Sequence, residues 1–132
     1  MTSSGTSRPA SPEVADPGTA TVAVLADDLI WGTRLAESVR AGGGRVVPVR
    51  SLDALRRAVP AFAIVDLTAR AYDGIEAVRV ARELGARVLA VGQHDDVEAR
   101  RAALQAGASR VVPYRRLHED GPSVIRRWLA EP

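Results

Sequence analysis

Residues 61–79 read AFAIVDLTARAYDGIEAVR, and this stretch decides the fold. Its first part, AFAIVD (61–66), is a short apolar run closed by one aspartate. Such a run does not alternate apolar with polar, so both of its faces must be covered, as in a strand inside a parallel sheet. A polar loop follows, then Asp73-Gly74, then an amphipathic helix from Gly74 to Leu84 that Gly85 stops.

The same strand-then-helix unit recurs on both sides. TVAVLA (21–26) is a strand, and Ile30 to Ala41 a helix with Trp31, Leu35 and Val39 at four-residue spacing. RVVPVR (45–50) is a strand whose Pro48 cannot donate to a ladder, which assigns it to an edge. Ser51 caps a short helix ending at Pro60. RVLAVG (87–92) is a fourth strand, and Asp95 or Asp96 caps a helix that runs to Gln105 and stops at Gly107. RVVPY (110–114) is the fifth strand, and Pro122 to Leu129 the last helix. Five such units predict an α/β, flavodoxin-like, doubly wound (βα)5 domain: a parallel sheet of order 2-1-3-4-5 with helices on both faces. The folded domain is expected over residues 21–132. Residues 1–20, with three Pro and Val14 as the lone large apolar residue after Met1, are expected to be a disordered tail.

Composition excludes several classes of function. With 132 residues there is room for one domain. There is no Cys, hence no disulfide, thiolate metal site or cysteine nucleophile. No apolar run reaches the length of a membrane span, and the first residues lack the basic-then-apolar pattern of a secretory leader, so a cytoplasmic protein is expected. The net charge is +2 and all 18 basic residues are Arg. They are scattered among 16 acids, which argues against direct nucleic-acid binding.

In a doubly wound sheet, sites form outside the carboxyl ends of the strands, near the switch in strand order. Asp27-Asp28 ends the first strand and Asp66 the third, its neighbour in this order. Three converging carboxylates repel one another unless a cation holds them, and hard oxygen donors suit Mg²⁺. The plainer alternative is that Asp27 or Asp28 caps the first helix.

At this point the chain resembles a response-regulator receiver domain of two-component signalling, over residues 21 to about 130. The resemblance is carried by AFAIVDLTARAYDGIEAVR, with Asp73-Gly74 seven and eight residues past Asp66, by VLAVGQHDD (88–96) and by AGASRVVPY (106–114). It implies a phosphoryl-accepting signalling module, not an enzyme, and assigns no catalytic residue. Asp66 would be the phosphoacceptor. Asp27, Asp28, Asp66 and the backbone carbonyl of Thr68 would be the Mg²⁺ ligands. A histidine kinase or phosphotransfer protein would be the donor.

Three positions depart from the family pattern. Gly92 stands where a hydroxyl residue is usual, Val111 where an aromatic is usual, and Tyr114 where a Lys is usual. The chain contains no Lys with which to realign the last. Degenerate switch positions of this kind imply an atypical receiver and little conformational response to modification of Asp66. Arg115, Gln93 and His94 are candidate substitutes for the missing phosphoryl-binding groups. His94 and His118 are weaker candidates as ligands, and Trp31 and Trp128 read as packing.

Three readings compete: a stand-alone receiver phosphorylated on Asp66, a phosphorylation-independent pseudo-receiver acting as a protein–protein interaction module, and a small-molecule binder on a flavodoxin-like fold. The last is disfavoured because no Gly-rich loop follows the first strand. Output is expected through a protein partner or a dimer on the face of the fourth helix, fifth strand and fifth helix. That face would carry Arg100, Arg101, Arg110, Arg115, Arg126 and Arg127 and suit an acidic partner.

Overall fold

The computed structural model describes residues 19–132. Five strands run β1 Thr21–Leu25, β2 Arg45–Val49, β3 Phe62–Asp66, β4 Arg87–Gly92 and β5 Arg110–Pro113. Among the described residues five helices alternate with them: α1 Leu29–Ala41, α2 Leu52–Ala58, α3 Gly74–Glu83, α4 Val97–Ala106 and α5 Tyr114–Ala130. All strand pairs are parallel, in the order β2-β1-β3-β4-β5. This is the flavodoxin-like architecture expected from the sequence, with Pro48 on the edge strand. The expected tail falls outside the described residues over 1–18. Ala20 already belongs to the domain, since its carbonyl accepts the Arg45 N–H at 2.7 Å.

Alternation along each central strand divides the core in two. Ala23, Leu25, Ala63, Val65, Val88 and Ala90 share one cluster with α2, α3 and α4. Val22, Val24, Ile64, Leu89 and Val91 share the other with Leu35 and Val39 of α1 and Ile125 and Trp128 of α5. Trp128 is fully buried, edge-on to Phe62 at 5.5 Å, with its indole N–H on Ser109 Oγ at 3.1 Å. Burying strands on both faces is what allows them to be apolar throughout.

The helix starts follow local chemistry. Asp28, Ser51, Asp73 and Asp96 each accept a backbone N–H of the first turn that has no carbonyl partner within its helix. The last strand and helix differ from the sequence expectation. β5 stops at Pro113, and Tyr114 opens a helix that kinks at Asp120 (φ −149°, ψ 38°) before Pro122. The Pro122 ring cannot continue a helix already in progress, but it suits the start of a second one. The reading that began this helix at Pro122 therefore found its second half and missed Tyr114–Glu119. At the kink, a Cβ on Gly121 would lie 2.3 Å from Ser38 Oγ, so glycine permits the close approach of α5 to α1.

Candidate functional site

The carboxyl ends of β1 and β3 open onto a crevice of about 670 Å³ lined by Asp27, Asp28, Trp31, Asp66, Thr68, Arg70, Gln93 and Tyr114. Asp66 is the one buried charged residue among those described, at 2% exposure. A buried carboxylate must be met by donors, because desolvation otherwise expels its charge. Here the Thr68 N–H donates to Asp66 Oδ1 at 2.9 Å and the Thr68 hydroxyl donates to the same oxygen at 2.9 Å. The Tyr114 hydroxyl also donates to Oδ1 and lies 2.5 Å from Thr68 Oγ1. Oδ2 makes no protein hydrogen bond among the described residues.

The acidic pair divides its work. Asp28 Oδ1 accepts the Trp31 N–H at 2.8 Å as the N-cap of α1, so the helix-capping alternative holds for this residue. Asp27 Oδ2 accepts the N–H groups of Arg70 and Ala71 at 2.8 and 2.9 Å, tying the β3–α3 loop to the end of β1. Those bonds, from Ala71 first and then Arg70, hold its carboxyl below the usual carboxylate range. Beneath the loop, the Tyr72 hydroxyl lies 2.8 Å from the Leu25 carbonyl and 3.0 Å from the Asp66 carbonyl, within donor reach of both strand ends. Burial pushes the Tyr72 phenol well above its ordinary value, with the Asp66 charge adding to the effect.

The donor set suits a hard cation in kind, since every candidate ligand is an oxygen and each carboxylate keeps one oxygen outside these bonds. Its arrangement is open. Among the described residues, no three Asp, Glu or His side chains are gathered into a metal-holding group.

Each sequence candidate has a definite place. Asp27, Asp28, Asp66, Thr68 and Gln93 line one crevice. His94 and Arg115 do not, and Arg115 is exposed in a 3.7 Å pair with Glu119. His118 sits on α5, its Nδ1 3.0 Å from an Arg34 nitrogen on α1. Gly92 ends β4 beside Leu67, where an added Cβ would come no closer than 3.4 Å. Val111 packs partly buried in the core.

Tyr114 requires a correction. It brings no cation, as expected, but it does not leave Asp66 alone: its phenol bonds the carboxylate directly. Trp31 is also more than packing, because it lines the crevice and packs against Tyr114, the rings tilted by 45° with centroids 4.5 Å apart. Arg70 was missed because nothing in a loop's sequence says where its side chain will stand. Two arginines of the expected basic outer face have partners within the chain. Arg110 pairs with Glu131, and Arg126 reaches the Ala41 carbonyl on α1.

No family model matches the sequence, and no curated protein matches it. Solved structures do. The BeF3-activated DrrB receiver domain superposes with a TM-score of 0.73 at 20% identity, over 86% of this chain and 99% of that one. The signal receiver domain of NarL from Mycobacterium tuberculosis gives 0.71 at 21% identity, over 86% and 98%. A LuxR-family two-component response regulator from Aurantimonas sp. SI85-9A1 gives 0.67 at 26% identity, over 83% and 81%. The chain has the receiver-domain fold.

Proposed function

We propose that this chain is a receiver module of two-component signalling that accepts a phosphoryl group on Asp66. The observation that carries the reading is a single buried carboxylate at the end of β3, at the floor of a crevice shared with two further acids. Oδ1 accepts three donors and Oδ2 none among the described residues, which makes Oδ2 the nucleophile. In the reaction Oδ2 attacks phosphorus in line, the new O–P bond forms, and the donor's leaving group departs with the electrons of the bond that breaks. Asp27, Asp28, Asp66 and the Thr68 carbonyl would hold Mg²⁺, whose contribution is to neutralise charge on the phosphoryl oxygens. The donor would be a histidine kinase or a phosphotransfer protein.

The outlet we infer is the outer face of α4. There Val97 and Leu104 stand exposed beside Arg100 and Arg101, a surface that suits an acidic protein partner with apolar contacts. A second reading, an interaction module that works without phosphorylation, is favoured by one observation: no Lys exists to pair with a phosphoryl group.

Incubation with acetyl phosphate and Mg²⁺, followed by intact-mass measurement, tests the first reading. One phosphoryl group should add to the parent protein and none to Asp66→Ala. An unmodified parent, or a modified Asp66→Ala, overturns the assignment.

A further inference from the structure

We propose that Tyr114 is a latch through which the charge on Asp66 sets the packing of the first half of α5. The inference rests on the receiver reading only for what changes that charge in the cell; the latch itself rests on contacts in the unmodified protein.

Three oxygens meet at the latch: Asp66 Oδ1, Thr68 Oγ1 and Tyr114 Oη. Two hydroxyl protons serve all three contacts, so the arrangement needs a full acceptor at its centre. A carboxylate oxygen is that acceptor, and a hydrogen bond to it is roughly twice as strong as one to a neutral group. Adding a phosphoryl group at Oδ2 turns Oδ1 into a neutral carbonyl oxygen. The attraction for the phenol then falls, while the Thr68 N–H and hydroxyl, two residues from the carboxyl, remain close competitors for what acceptor strength is left.

What the phenol holds is specific. Tyr114 is the first residue of α5, and that helix start has no side-chain cap. The segment Tyr114–Glu119 is separated from the rest of the helix by the kink at Asp120, and Leu117 is its one buried residue. Beyond the kink, Val124, Ile125 and Trp128 are anchored in the core. Losing the phenol bond therefore loosens the first half and leaves the second in place. Trp31 follows Tyr114, because its indole N–H is buried without a hydrogen-bond partner among the described residues and its ring packs directly against the Tyr114 ring. A hydroxyl on a ring thus does here what a cation and a separate aromatic would otherwise share.

The test uses the full chain labelled with 5-fluorotryptophan, whose two fluorine resonances are assigned with Trp31→Phe. Asp66→Asn keeps an oxygen at Oδ1 but removes its charge; Tyr114→Phe removes only the hydroxyl. Both should move the Trp31 resonance in the same direction and leave that of Trp128 in place, which also certifies folding. The double variant should add no further shift. Amides of 117–119, the first in this helix with a carbonyl acceptor one turn back, should exchange about tenfold faster in each single variant, the effect of losing one charge-assisted bond, and those of 124–129 at the parent rate. A Trp31 resonance unmoved by Asp66→Asn, or a double variant whose shifts simply add, overturns the latch. Treatment with acetyl phosphate and Mg²⁺ separates the two claims. Modified protein whose Trp31 resonance stays put defeats the latch alone, whereas the absence of any mass gain defeats the receiver reading and leaves the variant shifts to decide the latch.

Discussion

Four polar residues of the crevice are engaged by the protein itself. Asp28 caps a helix, Asp27 clamps a loop, Thr68 serves Asp66, and Tyr114 closes over the same oxygen. The tyrosines carry the clearest electrostatic consequence. Burial, joined by the hydrogen bond to Asp66, pushes the Tyr114 phenol far above its ordinary value of 10.0, and burial does the same for Tyr72. A phenolate at Tyr114 would place a second anion against Asp66. For a group whose folded pKa is raised, the associated stability is present below the unfolded pKa and lost as pH rises through the folded one. The chain has two tyrosines and both are shifted upward. The folded protein should therefore show almost no phenolate absorbance at pH 10.5, where a free tyrosine is mostly ionised. Phenolate should appear only at higher pH, together with unfolding. A normal titration curve in folded protein would contradict the half-buried, hydrogen-bonded placement of both rings.

At the scale of the element, the Asp73-Gly74 pair shows why spacing in this loop matters. Asp73 accepts the N–H groups of Ile75 and Glu76 and so starts α3. Gly74 is required for a different reason: a Cβ there would stand 2.8 Å from Leu67 Cα and 3.0 Å from the Leu67 carbonyl oxygen. Both are backbone atoms of the residue between Asp66 and Thr68, and they cannot rotate away. Gly74→Ala should cost about 1–3 kcal/mol by overpacking. Gly32, inside α1, is the contrast. A Cβ there meets nothing closer than Ala26 Cβ at 3.6 Å, so Gly32→Ala should stabilise by about 0.5–1 kcal/mol through helix propensity. Urea midpoints measured for the two variants should move in opposite directions.

At the scale of the whole molecule, the switch in strand order between β1 and β3 brings Asp27 and Asp66 to one crevice, although 39 residues separate them in the chain. Asp28 and Asp27 each commit one oxygen to the protein, so Mg²⁺ should bind weakly. At tenfold excess over its dissociation constant it should add about 1.4 kcal/mol of stability, a rise of roughly 5 °C in Tm for a domain of this size. Asp66→Asn should lose most of that response. Equal Mg²⁺ shifts in the two proteins would place the cation elsewhere.

Period and punctuation in the chain were enough for the sheet. Apolar runs such as AFAIVD and VLAVG, each followed by a capped helix, determine five parallel strands, and Pro48 determines which is an edge, because these are local consequences of burial and of a missing N–H. Asp27, Asp28 and Asp66 were legible as neighbours for the same reason: strand order places strand ends. Side-chain aim was not legible. Whether Asp28 caps or coordinates, which carboxyl oxygen of Asp66 stays free, and where α5 begins all depend on contacts between residues far apart in sequence. Tyr114 shows the limit most plainly. From the sequence it is a position without a cation. In the fold, the helix that opens after Pro113 brings its ring to the end of β3, and a hydroxyl 48 residues away in the chain becomes the direct partner of Asp66. Local pattern follows from the chemistry of each residue, but the pairing of distant side chains follows from how helices and strands pack, and tertiary structure alone decides that.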